Sequence, residues 1–123
     1  MESKTILCVD DVADVREMFK TYLEEKHYQV ITLPNPRSAI EVLEANKIDL
    51  IFCDLNMPYE NGFEFLERIK ETKFKDIPFI IVTNILNESY VDKSKQMGAQ
   101  EYIHKFRLNK EMILSLAEKY AAN

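Results

Sequence analysis

Four short apolar runs, each stopping at a polar or charged side chain, constrain this chain more than any other feature. Thr5-Ile6-Leu7-Cys8-Val9 stops at Asp10-Asp11, and Asp49-Leu50-Ile51-Phe52-Cys53 stops at Asp54. Pro78-Phe79-Ile80-Ile81-Val82 stops at Thr83, and Glu101-Tyr102-Ile103-His104 stops at Lys105. Near-continuous apolar runs of this length read as strands buried on both faces, the pattern of a parallel sheet. In such a sheet all carboxyl-terminal strand ends share one edge. Three carboxylates, a hydroxyl and an ammonium are therefore expected to meet there.

Helical periodicity fills the gaps between these runs. Val12, Val15, Phe19, Tyr22 and Leu23 recur at helical spacing over about residues 12 to 26. A further strand is predicted near Tyr28 to Leu33, and Asn35-Pro36 reads as an N-cap followed by proline at the first helical position, opening a helix to about Ala45. Asn61-Gly62-Phe63-Glu64 resembles a capping box, with Leu66 and Ile69 on the inner face of the helix it starts. A fourth helix is expected from about Glu88 to Met97, ended by Gly98. The last carries Ile113, Leu116, Ala117 and Tyr120 on one stripe. Five strands alternating with five helices, with no linker or repeat, predict right-handed βαβ units in a doubly wound α/β sandwich.

The 123 residues suffice for one domain, read as 1–123, that buries roughly two-thirds of its unfolded surface. A net charge of -5 without a Lys/Arg cluster disfavours direct nucleic-acid binding. No apolar stretch reaches the ~20 residues needed for membrane insertion. Met1-Glu2-Ser3-Lys4 runs straight into a strand with no signal-peptide pattern, so a cytoplasmic location is expected. Cys8 and Cys53 lie inside predicted central strands and read as buried reduced thiols. His27 and His104 are isolated, read as surface or boundary residues, and receive no role.

Convergent carboxylates repel one another, and proteins relieve this by protonating one or by binding a cation. Hard oxygen ligands without His or Cys point to Mg²⁺. Such a site beside a lysine and a threonine hydroxyl suits a phosphoryl group, and a carboxylate there can act as nucleophile to give an acyl phosphate. Taken singly, each residue has a plainer reading. Asp10 or Asp11 can cap the following helix, Asp54 can make an Asx-turn, Thr83 can be a strand-end hydroxyl and Lys105 a solvated charge. What favours the chemical reading is coincidence, because four of the five strand ends carry groups suited to one reaction.

In order and spacing, Asp10-Asp11, the stretch Asp54-Leu55-Asn56-Met57-Pro58 with Gly62 four residues beyond the proline, Thr83, and Gly98-Ala99-Gln100-Glu101-Tyr102-Ile103-His104-Lys105 resemble the receiver domain of bacterial two-component response regulators. The resemblance implies a flavodoxin-like five-stranded parallel sheet in the order 2-1-3-4-5, with its switch point between the strands ending at Asp10-Asp11 and Asp54. It implies that Asp54 accepts a phosphoryl group from a phosphohistidine on a sensor histidine kinase or phosphotransfer protein. Asp11, Asp54 and the Asn56 carbonyl would ligate Mg²⁺, with Asp10 acting through water. Thr83 and Lys105 would contact the phosphoryl oxygens, and Tyr102 matches the switch aromatic paired with Thr83. The surface of helix four, strand five and helix five would then change its affinity for a downstream target.

Two positions depart from the family pattern: Phe106 stands where proline usually follows the lysine, and Asn84 where a small residue usually follows the threonine. A trans Lys105-Phe106 peptide is expected, because cis before a non-proline residue costs ~2.5–4 kcal/mol. Competing readings are weaker. A phosphorylation-independent interaction module would tend to lose the acidic pair, the acceptor or the lysine, and all are present. An aspartyl-phosphate hydrolase would carry an acid/base Asp where Asn56 stands. A flavin carrier would want a Ser/Thr/Gly-rich loop where Asp10-Asp11-Val12-Ala13-Asp14 stands. With no output domain after the fifth helix, the chain reads as a stand-alone regulator or as the receiver of a longer protein.

Overall fold

Apolar residues of both parities fill the central strands, and the sheet explains why: each of these strands is covered twice. The computed structural model describes residues 3–121; Met1 and Glu2, read above as leading into the first strand, and Ala122 and Asn123 lie outside the described residues. The elements are β1 (Thr5–Val9), α1 (Ala13–Glu25), β2 (Gln29–Leu33), α2 (Ala39–Ala45), β3 (Leu50–Cys53), α3 (Gly62–Lys70), β4 (Phe79–Thr83), α4 (Glu88–Gln96), β5 (Glu101–His104) and α5 (Lys110–Ala121), with a 3₁₀ turn over Lys105–Arg107. All strand pairs are parallel, in the order β2-β1-β3-β4-β5.

Successive strand side chains point to opposite faces. Leu7, Val9, Ile51, Cys53, Phe79 and Ile81 pack with α2 and α3 through Leu43, Phe65, Leu66 and Ile69. Ile6, Cys8, Leu50, Phe52, Ile80 and Val82 pack with α1 and α5 through Phe19, Leu23, Ile113 and Leu116. The chain thus reverses its winding direction between β1 and β3, and that crevice opens beneath Asp10 and Asp54.

Local signals set the start of α3 and the end of α4, but not the start of α2. Asn61 and Glu64 form the reciprocal capping box, each accepting the other's backbone N–H at 2.9 Å. Gly98 takes φ 95° after α4, a conformation that favours glycine. Helix α2 begins at Ala39 rather than at Pro36. Asn35 Oδ1 accepts from Arg37 N at 3.0 Å, so the asparagine closes an Asx-turn instead of capping the helix. Among the helices, α4 is the least embedded, with Ser94 its one buried residue.

Candidate functional site

Asp10, Asp11 and Asp54 each place a carboxylate oxygen within 4.8 Å of the others, so β1 and β3 bring together the acidic residues found at their ends. Backbone contacts fix the geometry. Asp54 N donates to the Val9 carbonyl, continuing the β1–β3 ladder one step past the strands. The Asp54 side chain turns back on its own loop, with Oδ1 accepting from Leu55 N at 2.7 Å. Asp10 serves two ends: Oδ1 accepts from Val12 N at 2.9 Å, shaping the turn into α1, while Oδ2 faces the site. Asp10 thus shapes the turn before α1 rather than capping the helix, whose N-cap position is Val12 with no side-chain cap bond. Asp10 and Asp54 are buried, whereas Asp11 is exposed at the mouth.

Lys105 supplies the positive charge. Its Nζ lies 2.8 Å from Asp10 Oδ2 and 3.1 Å from Asp54 Oδ2. Burial alone would lower the Lys105 pKa, but the hydrogen bond to Asp10 and the charges of Asp10 and Asp54 carry it above its ordinary value. Burial pushes the Asp54 pKa up and the Asp10 charge adds to this; the Lys105 ammonium and the Leu55 N–H oppose it. The ammonium thus partly offsets the repulsion expected among the carboxylates. An all-oxygen donor set with residual negative charge, and one member open to solvent, fits a hydrated divalent cation such as Mg²⁺. Asn56 lies two residues beyond Asp54 in an exposed loop, where its carbonyl is the remaining ligand expected from the sequence.

Thr83 is buried at the end of β4, and its Oγ1 accepts from Ile85 N at 3.1 Å. Among the described residues none accepts its own hydrogen, which is left to donate. Tyr102 is half-buried, and its hydroxyl donates to the Ile85 carbonyl at 2.6 Å. The two residues assigned to the switch therefore hold opposite ends of one loop residue, Ile85. The peptides among the described residues are all trans, Lys105-Phe106 included, as expected. Burial raises the pKa of both cysteine thiols, in keeping with inert core residues.

Sequence reasoning missed His104. Its ring bonds Phe106 N through Nδ1 at 3.1 Å and the Asn84 carbonyl through Nε2 at 3.0 Å. It is not isolated. The available signal was its place at the end of the last strand, two residues before a position that is not proline.

Comparison with known proteins agrees with this geometry. The family model of the response regulator receiver domain matches residues 6–117. The chain is 33% identical over 111 residues to the response regulator SaeR of Staphylococcus aureus (strain USA300), covering 90% of this chain and 48% of that protein. It thus spans about half the length of the curated relatives it matches. The chemotaxis protein CheY4 of Vibrio cholerae superposes with a TM-score of 0.88 at 27% identity, covering 97% of this chain and 99% of that one. The receiver domain of a signal transduction histidine kinase from Syntrophus aciditrophicus does so with a TM-score of 0.86 at 28% identity, covering 98% and 91%.

Proposed function

This chain belongs to the response regulator receiver domain family of two-component signalling, and from that premise we propose that Asp54 is the residue that takes the phosphoryl group. One observation carries the assignment: at the β1–β3 crevice, Lys105 holds Asp54 and Asp10 together on a single ammonium. An Asp54 oxygen attacks phosphorus, and an O–P bond forms as the P–N bond of a donor phosphohistidine breaks. The departing imidazole nitrogen keeps the electron pair and takes up a proton. Lys105 turns part of its charge to a phosphoryl oxygen, and the hydroxyl of Thr83 donates to another. Mg²⁺ bound by Asp11, Asp54 and the Asn56 carbonyl, with Asp10 acting through water, would draw negative charge from the phosphoryl oxygens.

The donor in this reading is a sensor histidine kinase or a phosphotransfer protein in the cytoplasm. The described residues include no helix long and apolar enough to cross a membrane, which is compatible with that setting. Asn56, where a hydrolase would carry an acid/base carboxylate, favours a stored acyl phosphate that is lost slowly over rapid turnover. Signalling passes through Thr83 and Tyr102, because both grip Ile85, to the surface of α4, β5 and α5, where a downstream protein binds. Phosphate shifts the population by the contacts it makes in one state and not in the other.

Incubation with Mg²⁺ and acetyl phosphate tests the reaction class. A single added phosphate, absent with a chelator and released by hydroxylamine, is the expected signature of an acyl phosphate. A hydroxylamine-resistant adduct would overturn the reading.

A further inference from the structure

His104 and Thr83 are the last paired residues of β4 and β5, and beyond them the two strands part into separate loops. One loop begins with Asn84 and the other carries Lys105 in its 3₁₀ turn. Where the next rung of the ladder would lie, the His104 ring stands in its place. Nδ1 accepts from Phe106 N at 3.1 Å and caps the 3₁₀ turn. A ring nitrogen that accepts carries no hydrogen, so in the neutral imidazole the proton sits on Nε2, which donates to the Asn84 carbonyl at 3.0 Å. Both nitrogens are thereby used, one on each loop.

The Phe106 N–H exists because residue 106 is not proline, which has no such donor. The position that departs from the family pattern thus supplies the hydrogen that His104 accepts. On its other side the ring reaches the backbone of Asn84, the second departing position.

We propose that His104 is a positioning residue for phosphoryl transfer, replacing the rigidity of a proline turn by bridging the Lys105 loop to the Thr83 loop. The proposal rests on Asp54 being the acceptor. His104 does not touch the carboxylates. It fixes the separation of the two groups assigned to the phosphoryl oxygens, Lys105 Nζ and Thr83 Oγ1. Misplacement of such groups by about 1 Å costs up to ~100-fold in rate.

The test is the initial rate of phosphorylation by acetyl phosphate, followed by intact mass, with Mg²⁺ affinity measured in parallel by calorimetry. His104→Ala is expected to slow phosphorylation roughly 10- to 100-fold while leaving Mg²⁺ affinity unchanged. His104→Asn keeps an acceptor for Phe106 N, and His104→Gln keeps a donor for the Asn84 carbonyl. Each should recover part of the lost rate, which a general packing role would not produce. If the alanine variant fails to fold, this pair decides: rates equal to wild type in both overturn the proposal. Phe106→Ala retains the N–H and should stay close to wild type. In a Phe106→Pro background the His104→Ala loss should shrink, since one arm is already gone. A wild-type rate in His104→Ala, or Asn and Gln variants no faster than the alanine one, overturns the proposal alone. Wild-type protein that takes no phosphate on Asp54 overturns the acceptor assignment, and this proposal with it.

Discussion

Gly62 approaches Asp54 so closely that a β-carbon on the glycine would overlap the Asp54 carbonyl oxygen. The first turn of α3 rests against the backbone that carries the proposed acceptor, and Gly62 N donates to the Leu55 carbonyl at 2.9 Å to hold it there. Backbone cannot give way as a flexible side chain can. Gly62→Ala is therefore expected to destabilise the domain by ~1–3 kcal/mol and to slow phosphorylation by displacing Asp54. Urea unfolding of wild type and variant measures the first effect; equal midpoints would contradict the close approach.

The ammonium of Lys105 pairs directly with both the Asp10 and the Asp54 carboxylates. Lys105→Met leaves two buried carboxylates facing each other and should cost ~1–3 kcal/mol, between the values for surface and fully buried pairs. Added Mg²⁺ should then raise the melting temperature of the variant more than that of wild type, since the metal replaces the missing cation. An equal rise in both proteins would contradict this electrostatic account.

Burial and Asp10 hold the Asp54 pKa above its ordinary value, so the folded state binds this proton more readily than the unfolded chain does. The ionised Asp54 therefore costs stability at neutral pH. The cost fades as pH falls through the folded pKa and is gone below the unfolded value of 3.8. Metal-free Asp54→Asn should melt a few degrees higher than wild type at pH 7, with the gap closing on acidification. A gap that widens toward acid would reverse the sign.

Asp11 is exposed, and its removal should cost the fold little. Asp11→Ala is expected to stay within about 0.5 kcal/mol of wild type in stability while losing roughly tenfold or more in Mg²⁺ affinity, about 1.4 kcal/mol. Calorimetric titration reads both variant and wild type directly. Unchanged affinity would remove Asp11 from the ligand set.

Thr83 accepts the N–H of Ile85 and Tyr102 donates to its carbonyl, so a phosphate that draws the Thr83 hydroxyl toward it is expected to disturb this residue first. Hydrogen exchange with and without a phosphate mimic should change most over residues 83 to 106, including the lightly packed α4. Changes confined to α1 and α2 would contradict the proposed route.

What could be read from the sequence follows from which features are local. The apolar runs mark where Asp10, Asp54, Thr83 and Lys105 leave their strands, and a parallel sheet brings strand ends together whatever the loops do. The Asn61–Glu64 box is equally local, being complete within four residues. The start of α2 was misread because an asparagine before a proline offers one carboxamide oxygen to either an N-cap or an Asx-turn, and Asn35 makes the turn. His104 was missed because its bond to the Asn84 carbonyl depends on the β4–β5 register, which pairs it with Thr83 and brings Asn84 within reach. Gly62 was visible as a residue, but the Asp54 carbonyl it packs against was not.

The most direct test of the central claim is to locate the phosphate. Wild-type protein incubated with Mg²⁺ and acetyl phosphate, then mapped by peptide mass analysis, should carry one phosphate on the peptide containing Asp54, and Asp54→Asn should carry none. Equal labelling of Asp54→Asn, or a phosphate mapped away from the β3 end, would contradict the account.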